Sequence, residues 1–246
     1  MHQVLFFIPV GRLKNKIAFI TGASRGIGAG LARKFAAEGA SLMLTARDGQ
    51  ALERLSGELE SSGSEAAFLP GDVTSEPHVV AAFDLLRQRF GRLDLLVNNA
   101  GAFDGGPFED LTLQAWEHVM AVNLRGPFLC AREAFRIMKE QGGGRIINVG
   151  SISAQRVRPR SAPYSTSKHG IWGLTQSIAL DGRQYGISCS CIHPGNTQVE
   201  RRSDNEPMMS VEELAETIVT MAALPAHVNM LEAIVLPVDQ LYVGRG

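Results

Sequence analysis

The chain is predicted to form an α/β fold: a doubly wound, mostly parallel sheet of seven strands with helices on both faces. Three observations predict it. Short apolar runs rich in Val, Ile and Leu alternate with longer segments of helical periodicity, the pattern of a parallel sheet covered on both sides. A glycine-rich turn, Thr21-Gly22-Ala23-Ser24-Arg25-Gly26-Ile27-Gly28, stands between the first such run and the first helical pattern. With 246 residues, 45% hydrophobic and 20% charged, the chain can bury a large core, and a single domain over residues 1–246 is expected.

Ile17-Ala18-Phe19-Ile20 reads as the first strand, followed by a helix through Leu31-Ala32-Arg33-Lys34-Phe35-Ala36. Ser41 to Thr45 and Ala66 to Leu69 are the second and third strands, with helices over Gln50 to Ser62 and Glu76 to Phe90. Asp94 to Val97 is the fourth strand. One long helix is expected from about Gln114 to Lys139, ended by Gly142-Gly143-Gly144, and Arg145 to Val149 is the fifth strand. A helix from Pro163 to about Gln184, a strand over Ile187 to Ile192, a helix over Val211 to Ala223 and a seventh strand over Ala233 to Leu236 complete the pattern. Residues 1–15 read as an N-terminal extension whose apolar stretch Val4 to Ile8 is broken by Pro9 and is too short to span a bilayer. Residues 196–210 read as a short substrate loop.

In the glycine turn, Gly22 permits the tight bend, Gly26 lets the backbone approach a pyrophosphate, and Gly28 lets the helix start pack on the sheet so that its amides face the anion. Such a triplet alone is equally a flexible loop; its strand and helix context argues for a nucleotide site. A second constellation carries chemistry. Tyr164 and Lys168, four residues apart, share a helix face, and Ser151 follows the fifth strand. A neighbouring cation favours phenolate over phenol, which makes a tyrosine a workable proton carrier, and a serine hydroxyl can fix the same substrate oxygen.

Together with Asp72-Val73, Asn98-Asn99-Ala100-Gly101, Asn123 and Pro194-Gly195, these motifs resemble the short-chain dehydrogenase/reductase family from about Lys16 to Gly195, in the family order and at family-like intervals. The resemblance implies a Rossmann fold. It also implies that Ser151 orients the substrate oxygen, Tyr164 passes its proton, Lys168 assists the tyrosine and holds the nicotinamide ribose, and Asn123 holds a water linking Lys168 to solvent. The cofactor would lie on Gly22, Ser24, Arg25, Gly26, Ile27 and Gly28, on Arg47, on Asp72 and Val73, on Asn99, Ala100 and Gly101, on Tyr164 and Lys168, and on Pro194, Gly195 and Thr197. Asp72 could equally serve as a cap for the helix near Ser75 to Glu76. For Asn123, a poor residue for a helix interior, a buried polar partner or a simple bend are the alternatives.

Where family members that use NAD carry an acid at the end of the second strand, this chain has Ala46 followed by Arg47; with Arg25, Arg47 can clamp a 2′-phosphate, so NADP(H) is favoured over NAD(H). The function expected is an NADP(H)-dependent interconversion of a carbonyl and a secondary alcohol. The alternatives are an NAD-dependent alcohol dehydrogenase of the same family and a nucleotide-binding regulatory protein without turnover. The C-terminal part departs from the family: Val199 stands where many members carry a nicotinamide-binding threonine, leaving Thr197 as the candidate, and the ending Leu236-Pro237-Val238-Asp239-Gln240 lacks a Val-Asp-Gly-Gly finish.

Between Ser151 and Tyr164, Arg156, Arg158 and Arg160 alternate at period two; a solvated basic loop or a subunit contact is the first reading, and the second is that, extended, they point one way, towards an anionic or carrier-linked substrate with Arg201 and Arg202 opposite. His169 and His193 read as structural or surface residues, and Trp116 and Trp172 as packing or subunit contacts. A net charge of −1 does not suggest nucleic acid as a partner. Cys130, Cys189 and Cys191 show no metal-ligand spacing, and a reduced, cytoplasmic protein without metal is expected, with a homodimer or homotetramer packed through the helices around Trp116 to Lys139 and Pro163 to Gln184.

Overall fold

All seven expected strands form in the computed structural model, which describes residues 11–199 and 206–242. They are β1 (Ile17–Thr21), β2 (Ser41–Ala46), β3 (Ala66–Pro70), β4 (Leu95–Asn98), β5 (Gly144–Val149), β6 (Ile187–Pro194) and β7 (Glu232–Val235). Every pairing is parallel, in the order β3-β2-β1-β4-β5-β6-β7, so the expected mostly parallel sheet is parallel throughout. The helices are α1 (Gly26–Ala37), α2 (Gly49–Ser61), α3 (Glu76–Phe90), α4 (Leu113–Met120), α5 (Gly126–Gln141), α6 (Ala162–Gly182) and α7 (Val211–Ala222). Of the expected N-terminal extension, residues 1–10, with the apolar stretch Val4 to Ile8 and Pro9, lie outside the described residues, as do Arg201 and Arg202 of the substrate loop.

Alternation along each strand sends successive side chains to opposite faces. Ala18, Ile20, Leu42 and Leu44 pack with Leu31 and Phe35 of α1, Leu52 and Leu55 of α2, and Leu214 and Ile218 of α7. Phe19, Met43 and Leu96 face the other way, against Phe83 and Leu86 of α3 and Leu129 and Ile137 of α5. Each such large side chain withdrawn from water contributes on the order of 2 kcal/mol. Local chemistry sets the helix starts: side-chain oxygens of Asp48, Ser75, Thr112 and Ser210 accept the first free amides of α2, α3, α4 and α7. Gly91 and Gly142, with φ of 71° and 83°, end α3 and α5 in the left-handed region.

The single long helix expected from Gln114 to Lys139 is interrupted. Residues Ala121–Arg125 form a π-helical turn between α4 and α5. Pro127 explains it: proline has no N–H for the carbonyl of Asn123, and its ring crowds that carbonyl, so the helix opens by one residue. Asp94 also leaves its expected strand position; its carboxylate accepts the Ile17 N–H at 3.0 Å and pairs with Arg92.

Because chain order reverses between β1 and β4, the loops at the carboxyl ends of these two strands diverge and open a crevice, where doubly wound sheets bind ligands. Far from it, Arg12 bridges Glu38 at the end of α1 to Glu216 of α7, and Lys34 reaches Glu216 at 2.9 Å. The Arg12 hydrogen bond holds the Glu38 carboxyl below its ordinary value, and Arg12 with Lys34 takes Glu216 down to about 2. A carboxylate with a depressed native pKa stabilises the fold above its unfolded value near 4.5 and loses that contribution as pH falls towards the native value. Thermal stability is therefore expected to fall between about pH 5 and pH 2, and Arg12→Met should lower the melting temperature at pH 7 and flatten that acid limb; an unchanged limb in the variant would contradict the assignment.

Candidate functional site

Strand ends bring the sequence motifs together at the crevice. After β1, the glycine turn bends back with Gly22 at φ 65° and Gly26 at φ 53°. A Cβ on Gly28 would lie 2.2 Å from the Gly22 carbonyl oxygen, so only glycine lets α1 start this close to the turn. Arg25 stands at the N-cap of α1 without a side-chain cap bond, in contrast to the four capped helices above. Its first amides therefore face the crevice with no side-chain acceptor, and the absence of a Cβ leaves the backbone open to a phosphate.

The end of β4 locks this turn. Asn99 donates through Nδ2 to the carbonyls of Thr21 and Gly22 at 3.0 and 3.2 Å, while the Thr21 hydroxyl accepts the amides of Asn99 and Ala100. Asp72 accepts the Thr74 N–H at 2.8 Å and so shapes the turn after β3; the capping of α3 falls to Ser75. Burial works against ionisation of Asp72, but the bonds from Thr74 and the field of Arg47 outweigh it and its pKa is lowered. Val73 is buried against Gly126 at the start of α5.

Ser151 follows β5 and caps a short 3-10 turn, Ile152–Ala154; its Oγ accepts the Ser153 N–H at 3.1 Å, which leaves the hydroxyl proton free to donate. Tyr164 and Lys168 lie on α6. The Lys168 ammonium is buried, donates to the Val149 carbonyl at 2.9 Å, and stands 5.6 Å from the Tyr164 ring centroid. Among the described residues no protein group bonds the Tyr164 hydroxyl, and Phe103, 68% exposed, meets its ring edge-on at 5.2 Å. Asn123 is buried in the π turn, where both alternatives hold at once: the helix bends, and the amide is fully engaged. Its Oδ1 accepts the Ala102 N–H at 2.7 Å, and its Nδ2 donates to the Ala102 carbonyl and to Ser167 Oγ. Ser167 in turn bonds the Tyr164 carbonyl, so Asn123 ties the loop after β4 to the tyrosine's helix.

Pro194 ends β6, and Gly195 donates its N–H to Val235 at 2.7 Å. Thr197 is buried, its hydroxyl directed at the Gly195 carbonyl, and Val199 lies against Gly26, 3.3 Å from where a Cβ there would sit. The three arginines do not form an extended array. Arg160 has a left-handed backbone at φ 58°, Arg156 covers the Tyr242 ring, and Arg158 donates to Asn196 Oδ1 at 3.1 Å. A positive φ breaks strand alternation, which is why the period-two reading fails. Arg158 and Arg160 instead border a cleft of about 490 Å³ with Phe108, Val157 and His169.

Two features had not been singled out from the sequence, and a third had been read only as structural or surface. Asn196, wholly buried, joins four segments: it takes the Arg158 guanidinium, donates to Glu206 at 2.6 Å, and gives its N–H to Gln240 Oε1 at 2.8 Å. Nothing local announces a contact between residues so far apart in sequence. Phe103 follows Gly101 by two positions, and an aromatic just past a ligand-edge turn was a readable signal. His193, expected to be structural, proves fully buried directly behind Ser151.

The family model for short chain dehydrogenases matches residues 16–210. The chain belongs to the short-chain dehydrogenase family. Among curated relatives, "Uncharacterized oxidoreductase YxjF" of Bacillus subtilis is 38% identical over 191 residues, covering 77% of this chain and 74% of the relative. The A-factor type gamma-butyrolactone 1'-reductase of Streptomyces virginiae is 38% identical over 196 residues, covering 79% and 76%. A crystal structure of a short chain dehydrogenase from Burkholderia cenocepacia in complex with NADP superposes with a TM-score of 0.84 at 30% identity, over 92% of this chain and 98% of that one. For a short-chain dehydrogenase the described residues hold no cluster of His, Cys, Asp or Glu placed to bind a metal, and no helix among them is long and apolar enough to cross a membrane. Burial pushes the thiols of Cys130 and Cys191 up to about 12 and that of Cys189 higher still, so none is primed as a nucleophile.

Proposed function

We propose that this short-chain dehydrogenase is an NADP(H)-dependent oxidoreductase that interconverts a small-molecule ketone and a secondary alcohol. One observation carries the reading: a Tyr164 hydroxyl without a partner among the described residues stands one helical turn from a buried Lys168 ammonium that the Val149 carbonyl holds in place. A bound nicotinamide dinucleotide supplies or takes the hydride. In the reducing direction Tyr164 gives its proton to the substrate oxygen, and the Ser151 hydroxyl bonds the same oxygen. Lys168 favours the negative charge left on the tyrosine oxygen. A water that replenishes the proton would rest on the Asn123 carbonyl, which Pro127 deprives of its ordinary helical donor.

The glycine cradle and the uncapped start of α1 fit a dinucleotide pyrophosphate. Preference for the 2′-phosphate is supported by Ala46 at the end of β2, by exposed Arg25 and Arg47, and by Asp48, whose carboxylate is committed to the Ala51 N–H at 3.0 Å and is withdrawn from any ribose. The relative from Streptomyces virginiae, a 1'-reductase by name, agrees with reduction, and the Burkholderia cenocepacia complex agrees with NADP as the cofactor. A single catalytic domain is supported by one sheet spanning the described residues, and a homodimer or homotetramer by exposed Trp116, Phe128 and Leu180 on α4, α5 and α6. Titration of nicotinamide fluorescence should show NADPH binding about tenfold or more tighter than NADH, and Arg25→Ala with Arg47→Ala should erase the difference. Equal affinities in the wild-type protein would overturn the cofactor assignment.

A further inference from the structure

His193 occupies an unusual place for an imidazole. It is the penultimate residue of β6, is 0% exposed, and fits beneath the Ser151 turn only because residue 150 is glycine, where a Cβ would lie 2.5 Å from Nδ1. Nδ1 is 3.3 Å from the Ser151 N–H and 2.9 Å from the Ser151 carbonyl oxygen. Nε2 lies 3.2 Å from Glu232 Oε1 of β7, close but without an aligned hydrogen bond, and that oxygen also accepts Gln155 Nε2 at 2.8 Å. Trp172 of α6 packs edge-on against the ring. The other charged or titratable groups acting on it are Lys168 and His169, both on α6.

A neutral imidazole carries one proton. With that proton on Nδ1, the ring donates to the Ser151 carbonyl but turns its Nε2 lone pair to the negative Glu232 carboxylate; with it on Nε2, the N–H points towards that carboxylate, though without an aligned bond, and Nδ1 accepts the Ser151 N–H. Glu232 therefore selects the Nε2–H tautomer. We propose that His193 and Glu232 form a positioning pair for Ser151, in which neutral His193 holds the serine backbone through its N–H, and a second proton, arriving on Nδ1, transfers that contact to the Ser151 carbonyl and displaces the hydroxyl from the substrate oxygen. The inference rests on reading Ser151 as the group that fixes that oxygen. Burial favours the neutral ring, opposed by the Ser151 carbonyl and Glu232 and assisted by Lys168 and His169, with the net result that His193 titrates below the ordinary histidine range. The intact arrangement thus belongs to neutral and alkaline pH, and its loss to acid.

Two measurements test this. In the cofactor-free protein, 15N-histidine NMR at pH 7 should show His193 as the Nε2–H tautomer; an Nδ1–H tautomer would overturn the inference whatever the enzyme's activity. In NADPH oxidation with ethyl acetoacetate or acetophenone as probe, His193→Leu should lower kcat by roughly 10- to 100-fold, the usual scale for removing a group that orients a working side chain, with NADPH affinity kept. His193→Asn, whose amide oxygen can accept the Ser151 N–H, should recover most of kcat but lose the acid limb of the pH profile. Glu232→Gln removes a charge that favours the protonated ring, so it should move that limb to lower pH. If His193→Leu does not fold, the asparagine and glutamine variants decide. An acid limb identical in wild type, His193→Asn and Glu232→Gln would refute the pair. Run alongside, Tyr164→Phe separates the two readings: dead tyrosine variant with unaffected histidine variants sinks only the positioning pair, while an active tyrosine variant sinks the site assignment and the pair with it.

Discussion

Tyr164→Phe is expected to reduce ketone-dependent NADPH oxidation by at least about 10²- to 10⁴-fold, the range associated with losing a positioned proton donor. The fold should not notice the change. No described protein group bonds the Tyr164 hydroxyl, and the ring contact with Phe103 survives in phenylalanine. NADPH affinity should therefore stay within a few-fold of wild type, because the pyrophosphate cradle and the arginines are untouched. The experiment pairs steady-state rates with a fluorescence titration of NADPH. Substantial residual kcat would remove Tyr164 from its assigned role, and a collapse in cofactor affinity would show that it acts chiefly in binding.

Gly28→Ala probes the cofactor cradle from the opposite direction. The new methyl carbon would lie 2.2 Å from the Gly22 oxygen and 2.5 Å from Asn99 Nδ2, both held in a bonded network that gives little room to shift. Overpacking of this kind costs about 1–3 kcal/mol. For a chain of this size that corresponds to a fall in Tm of roughly 2–4 °C per kcal/mol. Displacing the turn also moves the α1 amides, so NADPH affinity should fall by at least about tenfold. Calorimetry and cofactor titration read the two effects separately. An alanine variant with wild-type Tm and wild-type Kd would mean that the close approach of helix and turn has no functional weight.

Much of this architecture was legible because its causes are local. Short apolar runs alternating with helical periodicity announce the strands and helices, while the caps at Asp48, Ser75, Thr112 and Ser210 appeared only with the structure. The glycine turn was readable for the same reason: Gly22, Gly26 and Gly28 are demanded by backbone conformation and approach within a few residues of one another. The break at Asn123 was present in sequence as Gly126-Pro127, but continuous apolar periodicity across it suggested one uninterrupted helix. Proline four residues after a buried asparagine was the better signal.

Long-range partnerships left no such trace. Asn196 binds Gln240, Arg145 is buried among the carbonyls of Leu224, Pro225 and Val228, and His193 meets Glu232; in each case the partner is fixed by tertiary packing and not by spacing. The extended reading of the arginine loop failed for a related reason. Period-two spacing places side chains together only in an extended backbone, and Arg160 turns the chain into the left-handed region. Residues that act through the local backbone were therefore found first, and those that brace the site from behind appeared only with the fold.

The reaction we propose is hydride transfer from the nicotinamide to a carbonyl carbon at the Ser151, Tyr164 and Lys168 site. Incubating the protein with NADPH deuterated at the transferring position of nicotinamide C4, together with ethyl acetoacetate and acetophenone, and weighing the product by mass spectrometry, tests it most directly. The expected product is a secondary alcohol carrying one deuterium on the former carbonyl carbon, formed by wild type and not by Tyr164→Phe; an unlabelled alcohol, or labelled alcohol formed equally by the variant, would overturn the assignment.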